Sequence, residues 1–290
     1  MIVDSVAAVS RNLARTRFRK MSTALFRYYP AKRGVATIDD FDGDLRMSLD
    51  RSSYISSAIY WRGHHSVSIV QFLRKFLRSE MTFVDVGANI GEITLVAAKR
   101  LSHGRVLAFE PMPATFAQLS HNIALNGLAR VSLFNCGLYD QPGELPIYTK
   151  KDNPCGTVNR GVPSLFSTGA DVESAVVPLR TFDDVAAESA LERLDAMKID
   201  VEGAEWMVLR GAISSLERFR PVVIVEISEA NFRRAGYTVE DFLSFVRSLG
   251  YDLKSLHEPD GTIGPECDAV AFPQETKSAV VDILRSIARR

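Results

Sequence analysis

Two stretches of this sequence combine glycine with acidic residues in an order that could do chemistry. In the first, Phe83-Val84-Asp85-Val86-Gly87-Ala88-Asn89-Ile90-Gly91, an apolar strand is followed by a turn that contains two glycines. The second, Lys198-Ile199-Asp200-Val201-Glu202-Gly203-Ala204-Glu205, also passes from an apolar segment into acids and a glycine. In open α/β sheets small molecules bind beyond the carboxyl ends of the strands, where glycine lets a ligand approach the backbone. Both stretches therefore predict a ligand site at one sheet edge.

The first turn discriminates between two classes of cofactor. A dinucleotide site of the form GxGxxG uses its second glycine to make room for the pyrophosphate, and Asn89 stands at that position here. A carboxylate at Asp85 would repel a pyrophosphate, whereas S-adenosylmethionine carries no phosphate and has a cationic sulfonium that a carboxylate favours. We therefore expect four residues to bind S-adenosylmethionine: Asp85, Gly87, Asn89 and Gly91. An NAD-dependent oxidoreductase is the alternative.

A further acid closes the next apolar strand. Glu110 lies 19 positions after Gly91, where a carboxylate can accept hydrogen bonds from both ribose hydroxyls of a nucleoside. Both classes of cofactor contain a ribose, so Glu110 supports a nucleoside site without choosing between them. Taken alone, Asp85 could cap a helix and Glu110 could be a solvated strand end. The joint placement of Asp85 and Glu110 favours a cofactor site over these two separate explanations.

The second stretch supplies candidates for the reaction itself. Asp200 and Glu202 share one face if the strand stays extended, and we expect this strand to lie beside the first. The two carboxylates could then face the transferred methyl group, orient an acceptor hydroxyl or hold a divalent cation. A metal therefore stays an open question. Glu205 is explained by charge alone, because an acid stabilises a helix N-terminus.

Methyl transfer to a hydroxyl also requires a base that removes the hydroxyl proton. The candidates are Asp200, Glu202 and the adjacent pair His64-His65. Neighbouring side chains of an extended segment point to opposite sides, so at most one of the two histidines can serve. The predicted catalytic set is Asp200, Glu202 and His64.

The elements that must position these residues alternate in type. From residue 82 onward short apolar strands alternate with helical segments, and strands are predicted at 82–86, 106–110, 131–136, 196–201, 222–227, 251–256 and 269–272. This alternation favours a parallel sheet with helices on both faces, because each crossover is right-handed and returns over the sheet. Prolines and glycines in 140–169 predict an irregular excursion. The predicted fold class is α/β.

Three regions are predicted along the chain: a basic N-terminal extension and lead-in at 1–65, a catalytic domain at 66–274 and a C-terminal helix at 275–290. Residues 1–34 hold eight Lys and Arg residues against Asp4 as their one acid. Such a run is typical of a solvated basic helix, with weak contact to an anionic membrane surface as the alternative. Asp42-Gly43, inside an acidic stretch, predicts a hairpin turn, to which no chemistry is assigned.

The composition argues against several classes of protein. Hydrophobic residues at 46% and charged residues at 24% are ordinary globular values. Lys+Arg and Asp+Glu are equal at 35 each, so the basic excess typical of nucleic-acid binding is missing. Cys136, Cys155 and Cys267 fit neither a disulfide framework nor a zinc cluster, and no apolar run reaches the roughly 18 residues of a spanning helix. We expect a cytoplasmic protein with reduced thiols.

Several of these motifs together resemble the FkbM family of methyltransferases. The resemblance spans roughly residues 54 to 256 and depends on 83–91, Phe109-Glu110-Pro111, Asn126-Gly127-Leu128 and 197–205. Two further segments are similar to family elements, namely Tyr60-Trp61-Arg62-Gly63 and Leu138-Tyr139-Asp140. The second of them adds Asp140 to the expected cofactor-binding residues, although Tyr139 stands where a small residue is more usual.

The resemblance has implications for both fold and activity. It implies a Rossmann-like class I methyltransferase fold, with a seven-stranded, mostly parallel sheet whose last strand runs antiparallel. It also implies an S-adenosylmethionine-dependent O-methyltransferase that acts on a hydroxyl of a saccharide or natural product. The expected partner is thus a small-molecule or glycan acceptor, and no nucleic acid is expected.

Overall fold

The computed structural model describes residues 2–14, 21–22, 34–150, 164–167, 171–258, 260 and 262–288. Their secondary structure alternates between strands and helices along most of the chain. The strands are β1 (Val35–Phe41), β2 (Leu45–Asp50), β3 (Thr82–Val86), β4 (Arg105–Phe109), β5 (Val131–Phe134), β6 (Gly137–Leu138), β7 (Gly143–Lys150), β8 (Asp171–Arg180), β9 (Ala196–Ile199), β10 (Val222–Ser228), β11 (Tyr251–Ser255) and β12 (Glu266–Pro273).

The helices of the described residues lie mostly between these strands. The α-helices are α1 (Ile2–Ala14), α2 (Tyr54–Arg62), α3 (Val67–Phe76), α4 (Glu92–Arg100), α5 (Pro113–Ala124), α6 (Phe182–Glu188), α7 (Glu205–Arg210), α8 (Ile213–Phe219), α9 (Glu229–Arg234), α10 (Val239–Ser248) and α11 (Lys277–Ala288). A single 3₁₀ turn, Gln274–Thr276, precedes α11.

Seven strands form the central sheet, in the order β11-β12-β10-β9-β3-β4-β5. The pairs β10–β9, β9–β3, β3–β4 and β4–β5 are parallel, whereas β12 runs antiparallel to both of its neighbours. The predicted α/β fold with a seven-stranded, mostly parallel sheet is therefore confirmed. Because β3 lies between β9 and β4, the residues that follow these three strands meet at one sheet edge.

Alternate residues of each strand enter two separate hydrophobic cores. On β3, Phe83 belongs to one core while Val84 and Val86 belong to the other. On β10, Ile224 and Val225 divide in the same way. Since successive side chains of a strand point to opposite faces, the sheet is covered on both sides, as the alternation of strands and helices predicted.

The sequence predicted β3 to the residue, but not the helix after β9. The structure divides the predicted helix at 204–218 into α7 and α8, and Gly211 lies at the break. A Cβ at Gly211 would lie 2.0 Å from the backbone oxygen of Tyr139, so the chain turns where another backbone segment approaches it. The predicted irregular segment 140–169 contains β7, which pairs with β8 in a three-stranded sheet of order β6-β8-β7. Residues 151–163 and 168–170 lie outside the described part.

The described part of the N-terminal extension is packed rather than solvated. Arg11 is 4% exposed, and its guanidinium donates to the Asp40 carboxylate at 2.9 Å and to the Tyr60 backbone oxygen at 2.7 Å. Ala7 shares a hydrophobic core with Phe83, so α1 packs against the same core as the central sheet. The other basic residues of this segment lie outside the described residues: Arg15, Arg17, Arg19, Lys20, Arg27, Lys32 and Arg33. Contact with a membrane surface stays a prediction.

The remaining sequence-based expectations concern the chain end and the thiols. The C-terminal helix is present as α11, and its Val280 and Leu284 are fully buried. Within the described ranges no helix has the length and apolar character needed to cross a bilayer. Cys136 and Cys267 are free thiols, and Cys155 lies outside the described residues.

Candidate functional site

A cavity of about 310 Å³ lies at the edge of the sheet where β3, β4 and β9 end. This volume is at the lower end of the roughly 300–1,000 Å³ typical of small-molecule sites. Five of the predicted site residues form part of its wall, and they come from three separate parts of the sequence: Gly87, Asn89, Glu110, Asp200 and Glu202.

The turn after β3 is fixed by its own backbone and by the end of β4. The N–H groups of Gly87 and Ala88 donate to the Phe109 carbonyl at 3.0 and 2.9 Å. Gly87 has a φ of +74°, and a Cβ there would lie 2.0 Å from the Asp200 backbone oxygen. Asn89 also has a positive φ, of 50°, and its side-chain oxygen accepts from the Ile90 N–H at 2.8 Å. Asparagine tolerates this conformation better than most residues.

Glu110 is the acid that joins this turn to β4. It is 6% exposed, and its carboxylate accepts the backbone N–H groups of Asn89 and Met112, both at 3.0 Å. Burial raises the pKa of Glu110 to about 7, although the two N–H donors act to lower it. A buried carboxylate in the cavity wall that ionises near neutrality suits a polar ligand with hydroxyl donors.

Asp85 does not face the cavity, which corrects the sequence-based prediction. Its side chain is fully buried, accepts from the Thr94 hydroxyl at 2.6 Å and lies 3.7 Å from the Lys198 ammonium. Asp85 was expected at the cavity because it is close to the turn in sequence, but it still lies within β3, and the turn begins two residues later. Burial raises the pKa of Asp85, and the Lys198 charge opposes that shift.

Lys198 joins the two acidic stretches, a role that the sequence did not reveal. Its ammonium donates to the Gly87 carbonyl at 2.9 Å and lies 3.2 Å from the Asp200 carboxylate. Burial by itself lowers the pKa of Lys198, but the charges of Asp200 and Asp85 outweigh burial and raise the pKa above its ordinary value. Lys198 is therefore a permanent cation that holds the turn after β3 against the end of β9.

Three carboxylates converge in the wall of the cavity, where β9 and β10 contribute to it. One oxygen each of Asp200, Glu202 and Glu226 lies within 4.8 Å of the other two, a spacing that a divalent cation or a polyhydroxyl ligand could bridge. Burial, followed by the charges of Asp200 and Glu202, raises the pKa of Glu226 to about 9. Glu226 is paired in register with Asp268 of β12, which also lines the cavity.

The sequence analysis missed Glu226 and Asp268. A signal for Glu226 was present, because it is the one charged residue in the otherwise apolar strand Val222–Ser228. An acid in such a strand requires either a partner or a functional reason. Asp268 gave no comparable signal, since its position in the cavity depends on the antiparallel pairing of β12.

The turn after β9 is held by side chains from three directions. Glu202 has a φ of 55°, its carboxylate accepts from the Asn231 amide at 2.9 Å, and its backbone oxygen accepts from the Ser164 hydroxyl at 2.9 Å. Glu205 is 1% exposed and accepts the N–H groups of Val201 and Gly203, both at 3.0 Å. Glu205 thus shapes the turn through hydrogen bonds and not only through its charge at a helix start.

His64 is not at the cavity, which corrects its predicted catalytic role. Its ring lies between two acids: Nδ1 is 3.4 Å from Glu92 and Nε2 is 3.8 Å from Asp42. The neighbouring His65 lines the cavity instead. One of the two histidines thus lies at the cavity, and the contacts with Glu92 and Asp42 place His64 away from it. Glu92 also accepts the His65 N–H at 2.8 Å.

Gly91 and Asp140 also lie away from the cavity wall. Gly91 is the N-cap of α4, with a φ of 96°, so its requirement for glycine comes from the helix start. Asp140 lies 3.4 Å from the Arg210 guanidinium. The Tyr139 N–H donates to the Arg180 carbonyl at 2.9 Å, and this bond attaches the turn to the three-stranded sheet. Neither residue lines the cavity, and their part in cofactor binding stays a prediction.

The chain is similar to known methyltransferases. The sequence model of one protein family, the methyltransferase FkbM domain, matches residues 85–253. Methyltransferase 1 of Beauveria bassiana is 32% identical over 160 residues, which cover 51% of this chain and 64% of that protein. The 31-O-demethyl-FK506 methyltransferase FkbM of Streptomyces tacrolimicus is 30% identical over 216 residues, which cover 63% of this chain and 77% of that protein.

A solved structure, methyltransferase FkbM from Methylobacillus flagellatus, aligns at 16% identity with a TM-score of 0.47, over 76% of this chain and 54% of that one. The chain spans less than two thirds of the length of the first curated relatives that it matches. The matched domain nevertheless covers more than half of this chain and includes both acidic stretches. The chain belongs to the FkbM methyltransferase family.

Proposed function

We propose that the protein is an S-adenosylmethionine-dependent O-methyltransferase that acts on a hydroxyl of a saccharide or natural product. The observation that carries this proposal is the charge of the cavity wall. Among the described residues Lys198 is the one lysine or arginine that lines the cavity. Six acids line it: Glu92, Glu110, Asp200, Glu202, Glu226 and Asp268. Even with Glu226 protonated, because its pKa is raised to about 9, an acidic wall of this kind favours a sulfonium cation over the diphosphate of a dinucleotide.

This argument replaces the one that started from Asp85. The negative character belongs to the wall as a whole, whereas Asp85 is neutralised below it by Lys198. The oxidoreductase alternative is further disfavoured because Asn89 occupies the position where a dinucleotide site requires glycine. The donor would lie against Gly87 and Asn89, with its ribose hydroxyls donating to Glu110. When bound, S-adenosylmethionine supplies a methyl group on a positively charged sulfur.

The acceptor would meet the carboxylates at the end of β9. Asp200 keeps 36% of its side chain exposed and is the best placed to orient a hydroxyl and take its proton. Glu202, held by Asn231, would fix a second hydroxyl or share a cation with Asp200 and Glu226. The name of the Streptomyces tacrolimicus relative refers to a methyl group on oxygen, which supports an oxygen acceptor here.

Calorimetry with S-adenosylmethionine and NAD in parallel tests the donor. We expect binding of the methyl donor alone, and NAD binding without the methyl donor would overturn the proposal. The acceptor can then be sought by incubating the protein and donor with cell-extract glycans and metabolites. A mass increase of about 14 daltons marks the product, since one methylene is added. Repeating the incubation with EDTA and then with Mg²⁺ shows whether the three carboxylates need a metal.

A further inference from the structure

Two asparagines cover the free edge of β2 in the hairpin formed by β1 and β2. Asn122, on α5, accepts the Ser48 N–H at 2.8 Å and donates to the Ser48 carbonyl at 3.3 Å. Asn126, just after α5, makes the same two bonds to Arg46, both at 2.8 Å. Each side-chain amide thus takes the place that a neighbouring strand would occupy and closes a strand edge that would otherwise be open.

The two asparagines differ in the partner of their third hydrogen bond: Asn126 donates to the Asn122 carbonyl of its own helix at 2.8 Å, whereas Asn122 reaches the turn after β3. The Asn122 amide nitrogen donates to the Ile90 carbonyl at 2.8 Å, inside the turn that lines the cavity. Among the described residues no other donor reaches that carbonyl. Asn122 is fully buried and Ile90 is 6% exposed, so bulk water is a poor substitute for the amide.

We propose that Asn122 is a positioning residue for the methyl-donor site, because it fixes the turn after β3 to the N-terminal hairpin. The inference rests on the proposed function, in that it takes this turn to be where the donor binds. On one side the turn is bonded to Phe109 and Glu110; Asn122 holds the other side through Ile90. Both sides matter because the turn, with positive φ at Gly87 and Asn89, belongs to no strand or helix whose regular hydrogen bonds would hold it.

The hairpin is itself anchored to the helix that follows the turn. The Asp42 carboxylate, whose side chain is 1% exposed, lies 2.8 Å from Arg100 of α4 and forms a second ion pair with Arg74 of α3. The acidic hairpin turn, to which the sequence assigned no chemistry, is therefore an attachment point. A hairpin fixed at both Asp42 and Ser48 gives Asn122 a rigid support from which to hold Ile90.

Binding of S-adenosylhomocysteine, measured by calorimetry, tests the proposal with a matched pair of variants. We expect Asn122→Ala to bind about tenfold more weakly than the unmodified protein at a temperature where both are folded. Asn126→Ala loses the same bonds to the strand and one to the Asn122 backbone oxygen, but none to the turn, so its affinity should stay within about twofold. Equal affinities for Asn122→Ala and the unmodified protein would overturn the inference. If the unmodified protein itself does not bind, the proposed function fails instead.

Hydrogen exchange on the unmodified protein keeps the inference testable if Asn122→Ala does not fold. Ser48 does not line the cavity, yet its N–H donates to Asn122. Coupling between two sites is reciprocal, so S-adenosylhomocysteine should slow exchange at Ser48 by about threefold or more, with a smaller change at Arg46. An unchanged exchange rate at Ser48 in the presence of the bound probe contradicts the coupling.

Discussion

The two ends of the cavity both contain acids, but they hold them differently. At the proposed donor end, the turn after β3, Glu110 accepts two backbone N–H groups, and Asp85 lies beneath the cavity wall, buried against Thr94 and Lys198. At the proposed acceptor end, after β9, the carboxylate of Glu226 makes no hydrogen bond or ion pair with another described residue, although it lies within 4.8 Å of two other carboxylates. The acids of the donor end build the backbone of the site, whereas those of the acceptor end keep capacity for a ligand.

This difference separates the expected effects of mutations. Changes at the donor end should alter folding and donor affinity together, because the acids there determine the shape of the turn. Changes at the acceptor end should alter turnover more than donor affinity, because Asp200 contacts the turn after β3 only through Lys198. Each prediction below tests whether the two ends differ in this way.

The largest expected effect is on turnover, at Asp200. Loss of a group that removes a proton costs about 10²–10⁴-fold, so Asp200→Asn should lower methyl transfer to the acceptor found in the extract assay by that factor. Affinity for S-adenosylhomocysteine should change less than about threefold, because asparagine still accepts a hydrogen bond from Lys198. Glu217→Gln, an exposed change on α8, serves as the control. Unchanged turnover would remove Asp200 from the mechanism.

The second prediction concerns Lys198, which connects the two ends. Lys198→Met leaves Asp85 buried without its cation, and the loss of one partner of a buried pair costs about 3–5 kcal/mol. Urea unfolding should show this loss of stability. Adding Asp85→Asn to the same chain removes the uncompensated charge and should recover part of it, because asparagine can still accept from Thr94. If the double variant is no more stable than Lys198→Met, charge is not the cause.

The third prediction compares two glycines with similar backbone angles. Gly87→Ala places a Cβ 2.0 Å from the Asp200 backbone oxygen, whereas at Gly127, with a φ of +61°, a Cβ meets nothing within 4 Å. We expect a loss of stability of about 2–4 kcal/mol for Gly87→Ala together with weaker donor binding. Gly127→Ala should cost about 1 kcal/mol and leave donor binding unchanged. Equal losses of stability for the two variants would show that backbone strain accounts for the effect and that the contact with the Asp200 oxygen does not.

The sequence predicted the framework of the site better than its side-chain contacts. Strand β3, the turn after it and strand β9, which ends at Ile199 and not at the predicted residue 201, were identified because apolar runs followed by glycine are local signals. Asp85 was placed at the ligand because its position in the chain is next to the turn. Its orientation depends on Thr94 and on Lys198, more than a hundred residues away, and no local pattern contains that information.

His64 and Asn122 are two further residues whose roles depend on contacts between distant segments of the chain. The choice between His64 and His65 required knowledge of where Glu92 and Asp42 lie, and those acids come from a helix and a hairpin. Asn122 carried no signal at all, because a buried asparagine on a helix resembles an ordinary polar residue until its hydrogen-bond partners are known. Contacts between distant segments therefore account for the errors, while the elements themselves were largely correct.

The smallest expected effect is on the pH dependence of stability at the acceptor end. Glu226 has a pKa of about 9 in the folded protein, raised by burial and then by Asp200, Glu202, Glu205 and Asp268, against about 4.3 for an exposed glutamate. The folded state therefore binds this proton more tightly than the unfolded state. As pH rises from about 4.3 to about 9 the stability contributed by that proton is lost, and the loss is complete above the folded pKa.

Glu226→Gln should remove this part of the pH dependence. We expect the difference between the free energies of unfolding at pH 5 and pH 9 to become smaller by about 1–2 kcal/mol. The full pKa shift would correspond to a larger difference in unfolding free energy, but Glu226 stays partly exposed and solvent screens its charge. Glu217→Gln, an exposed change on α8, should leave the difference as it is. If urea unfolding gives the same pH dependence for Glu226→Gln and the unmodified protein, the carboxylates at the acceptor end do not repel one another as their spacing implies.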